Sequence, residues 1–271
     1  MSTKKLFEAK FPPEYEKYFA LTWKMLPEIA LEAKLTADTN GILVQALSPC
    51  QTVYVEIKFL KDFFTSLTGR AIGYIDLGPK SIASFPSLKK HKPKCKEIVL
   101  SVIDKYTMCY ERVLKHRKQK FETILIKPPC PSYPNLSTLN GDACFCLSTS
   151  KLRSELCNLK HVDEKVEIIC DGQNRTIILK AKDELSSSEL EFRLSDAYEY
   201  VRTVGNCSIS GIYFFEYMCS ILKHVSPLFD YVLVTYSQEK PLKMKFTKLT
   251  DLLEVAASFK HAPLTSRKKM P

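Results

Sequence analysis

The sequence predicts an α+β protein built from two similar domains, and three observations carry that reading. Residues 6–47 and residues 143–181 follow one plan: a short strand, an amphipathic helix, a strand, a tight turn and a return strand. Between them, four prolines fall within residues 128–134 (Pro128, Pro129, Pro131 and Pro134), a density that neither a helix nor a central strand accepts. Each half also carries two helical segments among alternating strands, the pattern of sheets with helices on one side.

The first strand falls at Leu6-Phe7-Glu8-Ala9-Lys10. Pro12-Pro13 introduces a helix over residues 14–26, where Tyr18, Leu21, Met25 and Ile29 have core-facing spacing. A strand over residues 31–37 alternates Ala33, Leu35 and Ala37 against Glu32, Lys34 and Thr36. Asn40-Gly41 signals a two-residue hairpin turn. In the next strand Val53, Val55, Ile57 and Phe59 alternate with Tyr54, Glu56 and Lys58. A short helix is expected over residues 79–85, ended by Pro86, and a basic loop over residues 89–94 leads to a strand at residues 97–103. Two further strands reach Ile126. The domain boundaries read as 1–126 for the first domain, 127–141 for the connector, 142–265 for the second domain and 266–271 for a basic tail.

The second half begins with a strand at Ala143-Cys144-Phe145-Cys146-Leu147 and a helix over residues 149–159. Strands at 165–170 and 176–181 flank the turn Asp171-Gly172-Gln173-Asn174, and another strand lies at 189–194. A helix over residues 214–225 stops at Ser226-Pro227. Strands at 231–236 and 242–246 follow, with Lys240-Pro241 at their turn.

At 271 residues the chain has room for two domains of about 100–150 residues. No apolar run is long enough to span a bilayer, and the charged, mixed N-terminus does not read as a signal peptide. The Asn-x-Ser/Thr triplets at Asn135, Asn174 and Asn206 therefore read as chance matches. The ten cysteines are scattered without a Cys-x-x-Cys pair. Cys144 and Cys146 share one strand face and read as small buried apolar groups, so no metal site is expected and a reducing compartment fits.

The formal charge of +10 points to a polyanionic partner, nucleic acid before a membrane surface. The basic side chains recur on corresponding helices. Lys17 and Lys24 are seven residues apart and share a face outside the apolar stripe. In the helix over residues 149–159, Leu152, Leu156 and Leu159 form the core stripe, and Arg153, Cys157 and Lys160 form a neighbouring one beside Lys151. The other two helices add Lys80, Lys223 and His224. Glu16, Glu28, Glu155 and Glu216 dilute this potential, as on an ordinary solvated face. Helices lining one concave surface would follow phosphates without reading bases. Asp38, Asp104 and Asp171 lie in separate turns or strands, which disfavours a metal-dependent nuclease.

The order of short motifs resembles the proliferating cell nuclear antigen family of DNA sliding clamps. It comprises Phe7-Glu8-Ala9-Lys10, the run from Thr39 to Leu47, the proline-bearing connector, Ser150-Lys151-Leu152, Ser226-Pro227-Leu228, Lys240-Pro241-Leu242 and Phe259-Lys260-His261-Ala262-Pro263. The resemblance covers residues 6–263. It implies two DNA-clamp domains with sheets outside and two helices each on an inner face, forming a ring around duplex DNA. Such a ring tethers a DNA polymerase as a processivity factor in replication and repair, is loaded by a separate ATPase, and has no enzymatic activity or cofactor. It implies a nuclear location, or a viral replication site in an infected cell.

Carried over by position, the DNA-facing residues are Lys17, Lys24, Lys80, Lys151, Arg153, Lys160 and His224. A groove for polymerase and other clients uses Leu47, Gln51, Thr52, Leu136, Pro241, Ala262 and Pro263. Ring closure pairs a basic edge (Arg112, Lys115, His116, Arg117, Lys118 and Lys120) with an acidic one (Asp183, Glu184, Glu189 and Glu191). That head-to-tail contact implies a self-complementary homo-oligomeric ring, which the resemblance makes a homotrimer; the alternative is one subunit of a heterotrimeric DNA-damage checkpoint clamp. The chain departs from typical eukaryotic members in its overall basic charge, its proline-rich connector and its basic tail Ser266-Arg267-Lys268-Lys269.

Overall fold

The structure is a computed structural model, and it describes residues 5–77, 95–104, 107–115, 117–126, 141–192, 194, 198–247 and 252–260. These group into two compact units, the first within Met1–Pro134 and Thr247–Val255, the second within Asn135–Phe246 and Ala256–Pro271. The helix expected at 79–85, with Lys80, and the connector with Leu136 lie outside the described residues, as do His116, Ala262, Pro263 and the basic tail.

In the first unit β1 (Phe7–Phe11) leads through a 3-10 turn at Pro13–Tyr15 into α1 (Glu16–Met25). Then come β2 (Glu32–Asp38), β3 (Gly41–Leu47), β4 (Val53–Leu60), β5 (Ser66–Gly69) and β6 (Ala71–Asp76). The described part closes with β7 (Cys95–Val102), β8 (Thr107–Leu114) and β9 (Lys118–Ile126). The second unit repeats the sequence with β10 (Ala143–Ser148), α2 (Thr149–Leu159), β11 (Lys165–Asp171), β12 (Thr176–Lys182) and β13 (Ser187–Phe192). It continues with β14 (Tyr200–Thr203), β15 (Ser208–Phe214), α3 (Glu216–Val225), β16 (Tyr231–Tyr236) and β17 (Leu242–Thr247). β18 (Leu253–Phe259) follows β17 in its sheet order, and its second half is grouped with this unit.

Strand pairing confirms the internal duplication. β1 runs antiparallel between β5 and β7, and β10 likewise between β14 and β16. β2 lies between β3 and β6, as β11 lies between β12 and β15. β4 extends β3 as β13 extends β12. Sequence alternation alone did not reveal β5, β6, β14, β15 or β18. The four-residue strands β5 and β14 are too short for a period of two to stand out, and β15 reads like a turn because of Ser208, Ser210 and Gly211.

The first hairpin turn sits one residue earlier than Asn40-Gly41 implies. Asp38 pairs with Gly41, so Thr39 and Asn40 make the turn, and the Asn40 amide donates to Asp38 Oδ1 at 2.7 Å. Gly41 already belongs to β3, with φ of +142°, and a Cβ there would lie 2.1 Å from the Phe59 carbonyl oxygen. Close approach of β4 therefore requires glycine at this position. Cys144 and Cys146 are half-buried rather than core residues; the buried side of β10 is Ala143, Phe145 and Leu147.

Each sheet is buried on one face and helices seal it. In the first unit Phe19 of α1 is fully buried and meets Phe11, Trp23, Phe59 and Tyr110 at centroid distances of 5.5, 5.2, 5.4 and 5.8 Å. In the second unit two tyrosines link β16 and its following turn to β11 and β15. The Tyr236 hydroxyl is 3.1 Å from the Ile168 carbonyl oxygen and 2.9 Å from that of Ile209, while the Tyr213 hydroxyl donates to the Lys240 carbonyl at 3.0 Å. Burial pushes both phenols above the ordinary tyrosine range. Tyr236→Phe is expected to lower stability by about 1–3 kcal/mol, because it leaves buried carbonyls without their donor. Urea unfolding followed by far-UV circular dichroism checks this; an unchanged midpoint would show the bonds to be dispensable.

Candidate nucleic-acid interface

The helices present basic groups because their apolar sides are consumed by the sheets. In α1 the buried set is Glu16, Phe19, Ala20, Thr22, Trp23 and Met25. Thr22 satisfies its hydroxyl on the Tyr18 and Phe19 carbonyls at 2.8 and 3.1 Å. Lys17 and Lys24 fall on the opposite side and are exposed. Glu16 does not dilute their field as the sequence suggests, since it is 1% exposed and turned inward.

In α2 the core stripe is Thr149, Leu152, Leu156 and Leu159. Lys160 is exposed just after the helix, and Arg153 is half-buried. Arg153 Nη1 donates to Ser226 Oγ at 3.2 Å, tying α2 to the residue that caps α3. Lys151 is engaged locally: its Nζ lies 3.3 Å from Oε2 of Glu199, whose side chain is 1% exposed, and 5.8 Å from the Phe192 ring centroid. Glu199 also accepts the Ser148 amide at 3.3 Å. The carboxylate that claims Lys151 is 48 residues away, so helical spacing gives no sign of it.

His224 departs from the reading as a surface group. It is only 9% exposed, and Met218, Cys219, Ile221, Leu222 and Val225 of α3 are buried around it in the helix. Three residues after Ile221 it shares the core-facing side, and Lys223 carries the exposed charge instead. The described cations at the helix surfaces are therefore led by Lys17, Lys24, Lys160 and Lys223, with Arg153 partly engaged.

The basic edge is also rearranged. Arg112 does not face outward with Lys115, Arg117 and Lys118, which are exposed; its side chain is 12% exposed and forms an ion pair with buried Glu16. Arg112 Nε donates to Glu16 Oε1 at 2.5 Å, and the Tyr110 hydroxyl donates to the same oxygen at 2.8 Å. Lys120 pairs with Glu122 beside it on β9. Glu189 lies 2.9 Å from Lys180 on the adjoining strand, while Glu191 is exposed. Among the described residues, β9 bonds to β8 along its length and to β6 only through Leu125 and Ile126. The outer edge of β13 has no strand beside it among those residues.

Of the client-groove residues, Leu47, Gln51 and Thr52 come together at the β3–β4 turn of the first unit. Gln51 has φ of +55°, and Ser48 Oγ accepts the Thr52 and Val53 amides at 3.1 and 3.0 Å. Pro241 belongs to the β16–β17 turn of the second unit. A recess of about 490 Å³ beside β14 is lined by Gly172, Arg175, Tyr200, Arg202 and Thr203 among others, with Glu199 already bonded as described. No group of three or more His, Cys, Asp or Glu residues is placed to hold a metal among the described residues. No described helix is long and apolar enough to cross a membrane.

No family model matches the chain, and no curated relative matches it by sequence. Solved structures do. Proliferating cellular nuclear antigen from Entamoeba histolytica superposes with a TM-score of 0.79 at 17% identity, over 96% of this chain and all of that one. PCNA from Thermococcus kodakaraensis gives 0.77 at 17% identity, over 94% of this chain and all of that one. The chain thus has the fold of a PCNA-like sliding clamp along nearly its whole length, with sequence diverged far beyond the fold.

Proposed function

We propose that this chain is a sliding-clamp subunit that encloses duplex DNA and tethers a polymerase to it, acting as a binding scaffold without chemistry of its own. The observation that carries the reading is the duplicated clamp fold combined with exposed Lys17, Lys24 and Lys160 at helices whose other faces are buried. Cations on rigid helices suit sequence-independent contact with phosphates, which is weak per site and falls steeply with salt. Three copies join head to tail, β9 of one beside β13 of the next. Lys115, Arg117 and Lys118 favour the acidic side of the neighbour, and backbone bonds supply the affinity. Clients dock at the β3–β4 turn around Leu47, Gln51 and Thr52, and the working site is the nucleus or a viral replication site.

The test combines assembly with retention on DNA. Sedimentation is expected to give a trimer at micromolar concentration, and the ring is expected to stay on a closed DNA circle and leave a linear one. Lys17→Glu, Lys24→Glu and Lys160→Glu together are expected to lower retention by about tenfold or more at moderate salt, without changing the sedimenting mass. Unaltered retention removes these helices from the DNA contact. A monomer under all salt conditions refutes the homotrimer and favours a clamp assembled from different chains.

A further inference from the structure

The recess beside β14 of the second unit is walled by the β11–β12 turn and carries two arginines. The turn is pressed against the strand and the loop after it. The Gly172 amide donates to the Cys207 carbonyl at 3.3 Å, and a Cβ at Gly172 would lie 1.9 Å from Thr203 Oγ1. Thr203 is itself anchored, its hydroxyl donating to the same Cys207 carbonyl at 2.8 Å. Arg175 ends the turn with φ of +55°, a conformation more usual for glycine or asparagine, and Arg202 stands on β14. Both arginines are exposed, and both line the recess. We propose that Arg175 and Arg202 form a binding site for a phosphate monoester.

The local carboxylates are already committed. Asp171, the acid nearest to Arg175 in the chain, is spent inside the turn: Oδ1 accepts the Gln173 and Asn174 amides at 2.9 and 3.0 Å, and Oδ2 accepts the Asn174 side-chain amide at 2.8 Å. Glu199, the acidic member of the lining, is bonded to Lys151 and to the Ser148 amide. Neither arginine has a carboxylate within ion-pair distance among the described residues. The Arg202 guanidinium lies over the Tyr200 ring, 5.2 Å from its centroid. A guanidinium on an aromatic face keeps its planar fork of N–H donors for an anion. Two such forks match a dianionic phosphoryl group, which a singly charged diester or carboxylate satisfies less fully. At about 490 Å³ the recess has the size of a small-molecule site, with room for the body that bears the phosphate. That body is a modified serine or threonine side chain, or a nucleoside; each presents the same dianion. The site uses none of the helix cations assigned to DNA and lies wholly within the second unit.

Calorimetric titration of the folded full-length chain uses N-acetyl-phosphoserine amide and adenosine monophosphate, each beside its unphosphorylated counterpart. At least one phosphorylated probe is expected to bind about tenfold or more tightly than its counterpart, the equivalent of one charge-assisted hydrogen bond. The tighter probe identifies the carrier as a modified protein or a nucleotide. Arg175→Asn, which suits the left-handed backbone, and Arg202→Gln are each expected to weaken that probe by about tenfold while leaving the urea midpoint unmoved. Equal binding of the phosphorylated and unphosphorylated probes, or no binding of any, overturns the proposal, as does binding that survives both substitutions. If neither probe binds while both variants lower retention on DNA, the arginines belong to the DNA contact and the monoester site is refuted. The titrations need neither DNA nor a ring, so failure of the sliding-clamp reading leaves their outcome intact.

Discussion

Glu16→Ala is expected to destabilise the first unit by about 3–5 kcal/mol, the cost of leaving a buried cation without its anion. Glu16 is 1% exposed, and one of its oxygens accepts both the Arg112 Nε–H and the Tyr110 hydroxyl. Burial opposes the Arg112 cation, yet the hydrogen bond and charge of Glu16 outweigh it and hold its pKa above the ordinary arginine value. Burial, and then the same carboxylate, push the Tyr110 phenol upward, so it remains a hydrogen-bond donor across the working pH range. Removing the carboxylate strands both partners at once. The double variant Glu16→Leu with Arg112→Met removes both charges and is expected to recover most of the loss, to within about 1–2 kcal/mol of the parent. Urea unfolding with hydrogen exchange on residues 16–25 reads both variants. A loss below about 1 kcal/mol for Glu16→Ala alone would show the pair to be solvated.

That cluster also marks the limit of sequence reading here. Repeating strand and helix periods are local, and they located α2 and β16 at their observed residues and showed the two halves to be alike. The polar partners are not local. Glu16 and Arg112 are 96 residues apart, and Lys151 and Glu199 are 48 apart. Sequence could count these charges but not cancel them, so it assigned Glu16 to the surface field, Arg112 to a subunit edge and Lys151 to DNA. His224 is a different case. Three residues after Ile221 it lies on the core-facing side of α3, whereas the resemblance carried it over by position to the DNA face.

The cancelled charges sharpen the candidate DNA contact rather than dissolve it. With Lys151 engaged and His224 buried, the reading rests on fewer cations, of which Lys17 and Lys24 both belong to α1. Their usefulness then depends on how firmly α1 is held. Phe19 is its central anchor, fully buried and stacked with Trp23 at an interplanar angle of 19° and with Tyr110 at 17°. Phe19→Ala is expected to cost about 3–5 kcal/mol, the range for a buried aromatic replaced by a cavity. Each lost ring pair contributes about 0.5–1.5 kcal/mol beyond area burial, so a site with four ring neighbours belongs near the upper end. Hydrogen-exchange protection across residues 16–25 is expected to fall with it, and DNA retention should weaken although no charge has changed. Lys17→Glu should do the reverse, weakening retention while leaving the unfolding midpoint nearly unmoved. If Phe19→Ala loosens α1 and retention stays at the parent level, Lys17 and Lys24 do not contribute as a fixed pair, and the DNA contact must be carried elsewhere on the chain.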